Sequence, residues 1–217
     1  MQLQLTDDGS ATIYLPEIDE HYHSVKGAIT ESRHIYRDCA FLHYPSSDKT
    51  LRLLEVGFGT ALNATLTAMA ASASHHVHYI ALERFPISIE MAQALGYEQF
   101  VNPDIFQALH KAPWGESIAI NEFFEIEKRL CDFTCDSLPN SIDVVYLDSF
   151  APEKQPEMWT NEALSRLVDV MNPGAILTTY CAKGEIRRRL QALGLVVERI
   201  AGPPGGKREI LRATKPV

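Results

Sequence analysis

The chain has 217 residues, 46% of them hydrophobic and 22% charged, with a formal net charge of −8. That length suits one α/β domain closing a full core around a single ligand site. No run approaches the ~20 apolar residues of a membrane span, and Met1 to Asp8 lacks the basic start and apolar stretch of a secretion signal, so a cytoplasmic protein is expected.

Charge is uneven along the chain. Residues 183–217 hold nine Lys/Arg and three Glu, a balance of +6, which leaves −14 for residues 1–182. A basic island on an acidic body allows a polyanionic partner at that end, because local field rather than net charge decides where phosphate binds. Cys39, Cys131, Cys135 and Cys181 form no C-x-x-C pair and are expected as buried free thiols. His21 with His23, and His75, His76 and His78, have no acidic or thiol ligands placed to complete a metal site, so no metal is expected.

In chain order, the first 45 residues are expected to form a small strand-rich extension, with Ala11 to Leu15 as a strand and Ile35 to Tyr44 apolar without a clear period. Residues 46–217 are expected to form the core. Leu51 to Val56 is an apolar run ending in a glycine turn, a buried parallel strand feeding a helix from Ala61 to about Ala73. Val77 to Leu82 repeats the strand pattern, and a helix follows from Pro86 to Leu95, where Gly96 stops it. Residues 97–124 read as an insertion, with turn signals at Asn102-Pro103-Asp104 and Ala112-Pro113-Trp114-Gly115 around a short helix from Ile105 to His110.

Alternation then resumes. Strands are expected over Glu125 to Cys131, Ile142 to Leu147 and Ala175 to Tyr180, with a helix near Met158 to Met171 and a basic amphipathic helix from Lys183 to Ala192. The last two strands, Leu195 to Ile200 and Lys207 to Ala213, have no helix between them and imply an antiparallel hairpin at one sheet edge. The expected fold is α/β, Rossmann-like: a seven-stranded, mostly parallel sheet with an antiparallel last strand, as in class I methyltransferases.

The turn Glu55-Val56-Gly57-Phe58-Gly59-Thr60 lets the backbone approach a ligand at a helix start. A dinucleotide fingerprint would place a third glycine where Leu62 stands. Glu55 is placed to face the ammonium and sulfonium of S-adenosylmethionine and would oppose a pyrophosphate. Glu83 follows the next strand and can accept from both ribose hydroxyls. Asp132 ends the third strand, where it could accept the adenine amino group, and Phe133 could cover the ring. With Gly57, Gly59, Thr60 and Asn63, these residues make the expected cofactor set.

Strand four runs into Leu147-Asp148-Ser149-Phe150-Ala151-Pro152, followed by Trp159. A carboxylate followed by an aromatic and a proline outlines a planar, aminated acceptor, with Phe150, Pro152 and Trp159 as its contacts. Methyl transfer from a sulfonium needs only an aligned lone pair. An unperturbed Asp near 3.9 is a weak base for an amine, so Asp148, the expected catalytic residue, would attract the ammonium, orient the neutral amine and stabilise charge developing on nitrogen.

Together, Glu55 to Thr60, Leu82-Glu83-Arg84-Phe85-Pro86, Leu147 to Pro152, Met158-Trp159-Thr160 and Gly206-Lys207-Arg208-Glu209 resemble the methyltransferase domain of the bacterial bifunctional tRNA 5-methylaminomethyl-2-thiouridine biosynthesis family. His23 to Ser32 looks like the entry segment of its stand-alone relatives. The resemblance implies S-adenosylmethionine as cofactor and, as substrate, the 5-aminomethyl group of the wobble uridine of tRNA, converted to methylaminomethyl. It also implies that Asp148 lies beside the methyl and that Lys207 and Arg208 lie near the RNA. Ala61 replaces a glycine usual in the bifunctional form, which a helical backbone would tolerate.

With no flavin-dependent oxidase half before the chain stops at Val217, the expectation is an enzyme that accepts an aminomethyl group made by separate upstream enzymes. Lys183, Arg187, Arg188, Arg189, Lys207 and Arg208 are expected to hold the anticodon stem-loop through phosphates while a splayed base enters the pocket. Two rivals stand beside this reading: a nicotinamide-dependent oxidoreductase, and a catalytically silent RNA- or partner-binding module on the same fold.

Overall fold

The computed structural model describes residues 1–45 and 49–217. The chain opens with three short strands, β1 (Gln2–Leu5), β2 (Ala11–Leu15) and β3 (Glu20–His21), paired antiparallel into a small sheet. Helix α1 (Ala28–Ser32) runs directly into a π-helix over Arg33–Phe41. The small antiparallel sheet is the strand-rich part expected of the extension, and the stretch without a clear period is helical. Its missing period has a physical cause. Ile35, Tyr36, Ala40 and Phe41 are the buried residues, so the apolar pairs recur five apart, matching backbone bonds such as Leu42 N–H to the Arg37 carbonyl at 2.8 Å rather than the i, i+3/i+4 spacing of an α-helix.

Next come β4 (Leu51–Val56), α2 (Leu62–Ala70), β5 (Val77–Glu83), α3 (Ile89–Ala94), α4 (Pro103–Lys111), β6 (Ser117–Asn121), β7 (Phe124–Leu130) and β8 (Ile142–Leu147). The chain closes with α5 (Asn161–Val170), β9 (Met171–Thr179), α6 (Gly184–Ala192), β10 (Val196–Ala201) and β11 (Glu209–Thr214). The large sheet has the order β10-β11-β9-β8-β4-β5-β7-β6. Strands β7, β5, β4, β8 and β9 are parallel, and β11 is antiparallel to both β9 and β10. All seven expected strands are present, and β6 adds an eighth, antiparallel to β7 at the outer edge. Its two isoleucines are only half buried, which is why the segment gave a weak signal among the turn residues around it.

Strand β4 is buried along its length except at Arg52, as a strand with parallel neighbours on both sides and helices on both faces must be. Successive side chains feed opposite layers: Leu53 joins the core under α2, α4 and the π-helix, and Leu54 joins the core under α5 and α6. Ala11 and Ile13 of the small sheet belong to the first of these cores. The boundary expected at residue 45 adjoins residues 46–48, which lie outside the described residues.

Several ends differ from expectation for local reasons. Helix α3 starts after Ser88, whose hydroxyl accepts the Met91 N–H, so Pro86 lies before it in the turn. Asn102 and Pro103 are the cap and first residue of α4, not a free turn: the Asn102 side chain accepts from Asp104 and Ile105. Thr160 caps α5 in the same way. Lys207 and Arg208 precede β11 rather than belonging to it. Cys135 is exposed and Cys39 partly so, which leaves only Cys131 and Cys181 as the buried thiols expected. No helix among the described residues is long and apolar enough to cross a membrane.

Candidate functional site

The carboxyl ends of β4, β5, β7 and β8 open into one cavity of about 750 Å³, roofed by residues of the N-terminal extension. Ligands of open α/β sheets bind at this end. After β4 the backbone makes the turn that the glycines permit. Gly57 has a φ of 95°, and a Cβ there would stand 2.7 Å from the Asp148 carbonyl oxygen, so the ends of β4 and β8 touch through a position only glycine fills. Phe58, between the two glycines, packs against His110, Trp114 and the buried Lys128 ammonium. This anchors the turn from behind. Ala61, just before α2, has a φ of 62°. The backbone is thus left-handed there, not helical as the tolerance of alanine required, and the residue carries a strain that glycine would not.

Glu83 stitches the turn to β5. Its Oε2 accepts the Gly59 N–H at 2.9 Å and its Oε1 the Phe85 N–H at 2.8 Å, leaving further lone pairs for a ligand. Asp132 lines the cavity but is already engaged: Oδ1 accepts from the Thr134 backbone and hydroxyl, and Oδ2 pairs with Arg84 at 2.7 Å. The Thr134 hydroxyl, aided by Arg84, holds its carboxyl below the usual range. Phe133 is buried at the same wall. The Thr60 hydroxyl is 2.6 Å from His23 Nε2. Burial pushes that imidazole down to about 4, so His23 is neutral near pH 7.

Asp148, at the end of β8, faces the cavity. The Tyr36 hydroxyl donates to its Oδ1 at 2.7 Å, and Asn63 Nδ2 donates to its Oδ2 at 2.8 Å. The same Asn63 nitrogen donates to Glu55 Oε1 at 3.0 Å, so one amide joins two carboxylates. Burial pushes Asp148 up to about 7 against those hydrogen bonds, and nearby Glu31 adds to the rise. A carboxylate in this state is a competent base near neutrality.

Three expected site residues are elsewhere. Glu55 is fully buried and does not line the cavity, because Asn63 stands in front of it; burial raises its carboxyl well above the ordinary range. Trp159 has 0% exposure. Its Nε1 donates to the Phe150 carbonyl at 2.8 Å, so it fixes the acceptor wall from within rather than touching an acceptor. Pro152 faces a separate shallow depression beside α6. Phe150 does line the cavity and packs edge-on against Tyr22.

A sequence profile for a family described as S-adenosyl-L-methionine-dependent methyltransferase matches residues 97–216. The chain belongs to this family. The methyltransferase is 32% identical over 210 residues to the tRNA 5-methylaminomethyl-2-thiouridine biosynthesis bifunctional protein MnmC of Ectopseudomonas mendocina (strain ymp), covering 88% of this chain and 31% of that protein. With its counterpart in Pseudomonas savastanoi pv. phaseolicola the identity is 31%, over 91% of this chain and 32% of that one. The methyltransferase thus spans about a third of the length of these curated relatives. Among solved structures, MnmC2 from Aquifex aeolicus superposes with a TM-score of 0.76 at 21% identity, over 100% of this chain and 72% of that one. Spermidine synthase from Thermotoga maritima superposes at 0.60 and 14%, over 99% and 72%. Both likenesses show the fold.

The cavity of the methyltransferase fits a methyl donor on its own chemistry. Its size lies within the ~300–1,000 Å³ of small-molecule sites. Glu83, Asp132 and Asp148 line it, and of these Asp148, which has no cationic partner within ion-pair distance among the described residues, suits a sulfonium or an ammonium beside it. Asn63 Oδ1 and Ser149 Oγ, both on lining residues, are buried polar atoms without a protein partner among the described residues, as expected where a bound ligand completes the hydrogen bonding.

Residues missed from the sequence come from the extension and from β9. Tyr36, Tyr22, His23 and Glu31 sit in segments whose periodicity gave no register. Tyr180 directly follows β9, so it could have been found by the strand-end rule that found the acids. The basic tail is less free than its composition suggests. Arg189 turns inward to the Trp159 carbonyl, Lys183 pairs with Glu153, Arg212 with Glu198, and Lys207 enters the cavity. Arg188 and Arg208 remain exposed.

Proposed function

We propose that this methyltransferase transfers the methyl of S-adenosylmethionine to the primary amine of a 5-aminomethyl group on the wobble uridine of tRNA. The observation that carries the reading is Asp148: a carboxylate at the strand end beside the glycine turn, fixed by Tyr36 and Asn63, with its proton affinity lifted to about 7. An alkylammonium near 10.4 must lose a proton before its nitrogen can attack. Asp148 takes that proton and passes it to solvent, leaving a neutral amine whose lone pair is free to accept the methyl. The cofactor supplies an activated methyl. Gly57, Gly59, Asn63, Glu83, Asp132 and Phe133 hold it, with Thr60 and Glu55 acting through His23 and Asn63 respectively. The names of the relatives in Ectopseudomonas and Pseudomonas support the tRNA acceptor.

The flat walls of Phe150, Tyr22 and Tyr180 suit a base splayed out of an anticodon loop, and the exposed Arg188 and Arg208 supply phosphate contacts for the stem. The test is methyl transfer from labelled S-adenosylmethionine to bulk tRNA of cells lacking the activity, followed by nucleoside mass spectrometry. The expected product is 5-methylaminomethyluridine or its 2-thio form. Transfer to a protein or a metabolite, with none to tRNA, overturns the acceptor. No transfer to any of them, with S-adenosylhomocysteine still bound, favours the silent binding module.

A further inference from the structure

Lys207 is not where a phosphate-binding residue should be. Its ammonium lies 3.8 Å from the centre of the Tyr180 ring and 3.8 Å from Glu31 Oε1. Both groups line the cavity that holds Asp148. Glu31 is only 7% exposed; its Oε2 accepts the Ser24 N–H at 2.8 Å, and its Oε1 meets Lys207 at a separation too long for a hydrogen bond. The Tyr180 ring is held in place by its hydroxyl, which donates to the Ser149 carbonyl at 2.8 Å. An aromatic face and a buried carboxylate converging on one point make a cation site, and the cation now in it is a primary ammonium on a loop side chain that is 41% exposed.

We infer that Glu31 and Tyr180 form the subsite for the ammonium of the acceptor, and that Lys207 is a built-in placeholder which the incoming ammonium displaces. The inference rests on the amine reading of the acceptor above. It gives the two acids separate tasks: Glu31 receives the charged amine, and Asp148, which lines the same cavity and feels the charge of Glu31, takes the proton. It also explains how a buried carboxylate is tolerated before substrate arrives, since Lys207 and the Ser24 N–H partner a charge that would be strongly destabilising alone.

The test compares a primary ammonium with its neutral isostere on the purified full chain saturated with S-adenosylhomocysteine. The probes are benzylammonium against benzyl alcohol, and 5-aminomethyluridine against 5-hydroxymethyluridine, with affinities read by NMR titration at pH 7. Wild type is expected to prefer each ammonium. Lys207→Met should raise that preference by about fivefold by removing the competitor, and Glu31→Gln should abolish it; Tyr180→Leu should lower it by about threefold. An ammonium preference untouched by Glu31→Gln, or lowered by Lys207→Met, overturns the inference, as does a lack of ammonium preference for both pairs. The two readings fail separately. If benzylammonium depends on Glu31 while the aminomethyl nucleoside and tRNA are ignored, the subsite stands and the uridine acceptor falls. If tRNA is methylated while the ammonium preference ignores Glu31, the reverse holds.

Discussion

The two walls of the cavity are made in opposite ways. The donor wall is the ends of four parallel strands and the turn after β4, all inside one continuous sheet, and its key contacts run through the backbone: Gly59 N–H to Glu83, and Gly57, where a Cβ would meet the Asp148 carbonyl. The acceptor wall is assembled from separate pieces, with Tyr22 and Glu31 from the extension, Phe150 after β8, Tyr180 after β9 and Lys207 before β11, while Tyr36, buried outside the lining, holds Asp148. The contacts that tie it together are made by side chains, to one another in Tyr36 to Asp148 and Lys207 to Glu31 and Tyr180, and to backbone in Tyr180 to the Ser149 carbonyl. A wall of backbone tolerates almost no substitution, whereas one of side chains can be retuned residue by residue.

The comparison can be broken most sharply at Asp148, where the walls meet. Asp148→Asn should lower methyl transfer by roughly 10²–10⁴-fold with S-adenosylhomocysteine affinity, by calorimetry, nearly unchanged; a parallel loss of both would assign Asp148 to the donor wall. Gly57→Ala should do the converse. The new methyl meets the Asp148 carbonyl and the backbone is left-handed, so a stability loss of roughly 2 kcal/mol is expected in denaturant titration, with cofactor affinity reduced. A variant as stable as wild type would show that the strand ends separate easily.

Tyr36→Phe removes a hydrogen bond that holds Asp148 down. Because Asp148 acts unprotonated, the rate of transfer rises with pH through about 7, and the variant should move that limb to higher pH and reduce kcat by about tenfold without changing cofactor affinity. An unmoved limb would sever Tyr36 from the chemistry. The smallest effect is expected at Ala61→Gly: relief of the left-handed alanine should stabilise the protein by about 1 kcal/mol, offset in part by the freer unfolded chain, and is read as a small rise in Tm.

The same contrast decides what was legible in the sequence. The donor wall follows from local rules. An apolar run, a glycine turn and an acid at each strand end placed β4, β5, β7 and β8 and brought Gly57, Gly59, Glu83, Asp132 and Asp148 to one mouth. Glu55 shows the limit even there, since strand position cannot tell an acid that faces the ligand from one screened by Asn63. Trp159 and Pro152 were assigned by nearness in sequence to Asp148, but the turn that brings Phe150 to the cavity sends them away from it. The acceptor wall depends on contacts such as Tyr36 to Asp148, which span 112 residues; no local pattern encodes them, and the π-helix that presents Tyr36 hides the period by which a helix is recognised.

That π-helix has an engineering consequence. Its i, i+5 winding accommodates one more residue per turn than a relaxed helix would, so removing one residue just after Tyr36 should let Arg33–Phe41 rewind as an ordinary α-helix, a better helix by local geometry. Each residue of such a helix turns the chain by about 100°, so Ile35 with Ala40 and Tyr36 with Phe41, then four apart, would still share one face, and the core seats and the contact with Asp148 could be kept together. The shortened protein should fold well and still transfer methyl groups, the spare residue having stood on the outer side of the helix, where Arg37, Asp38 and Cys39 are least buried.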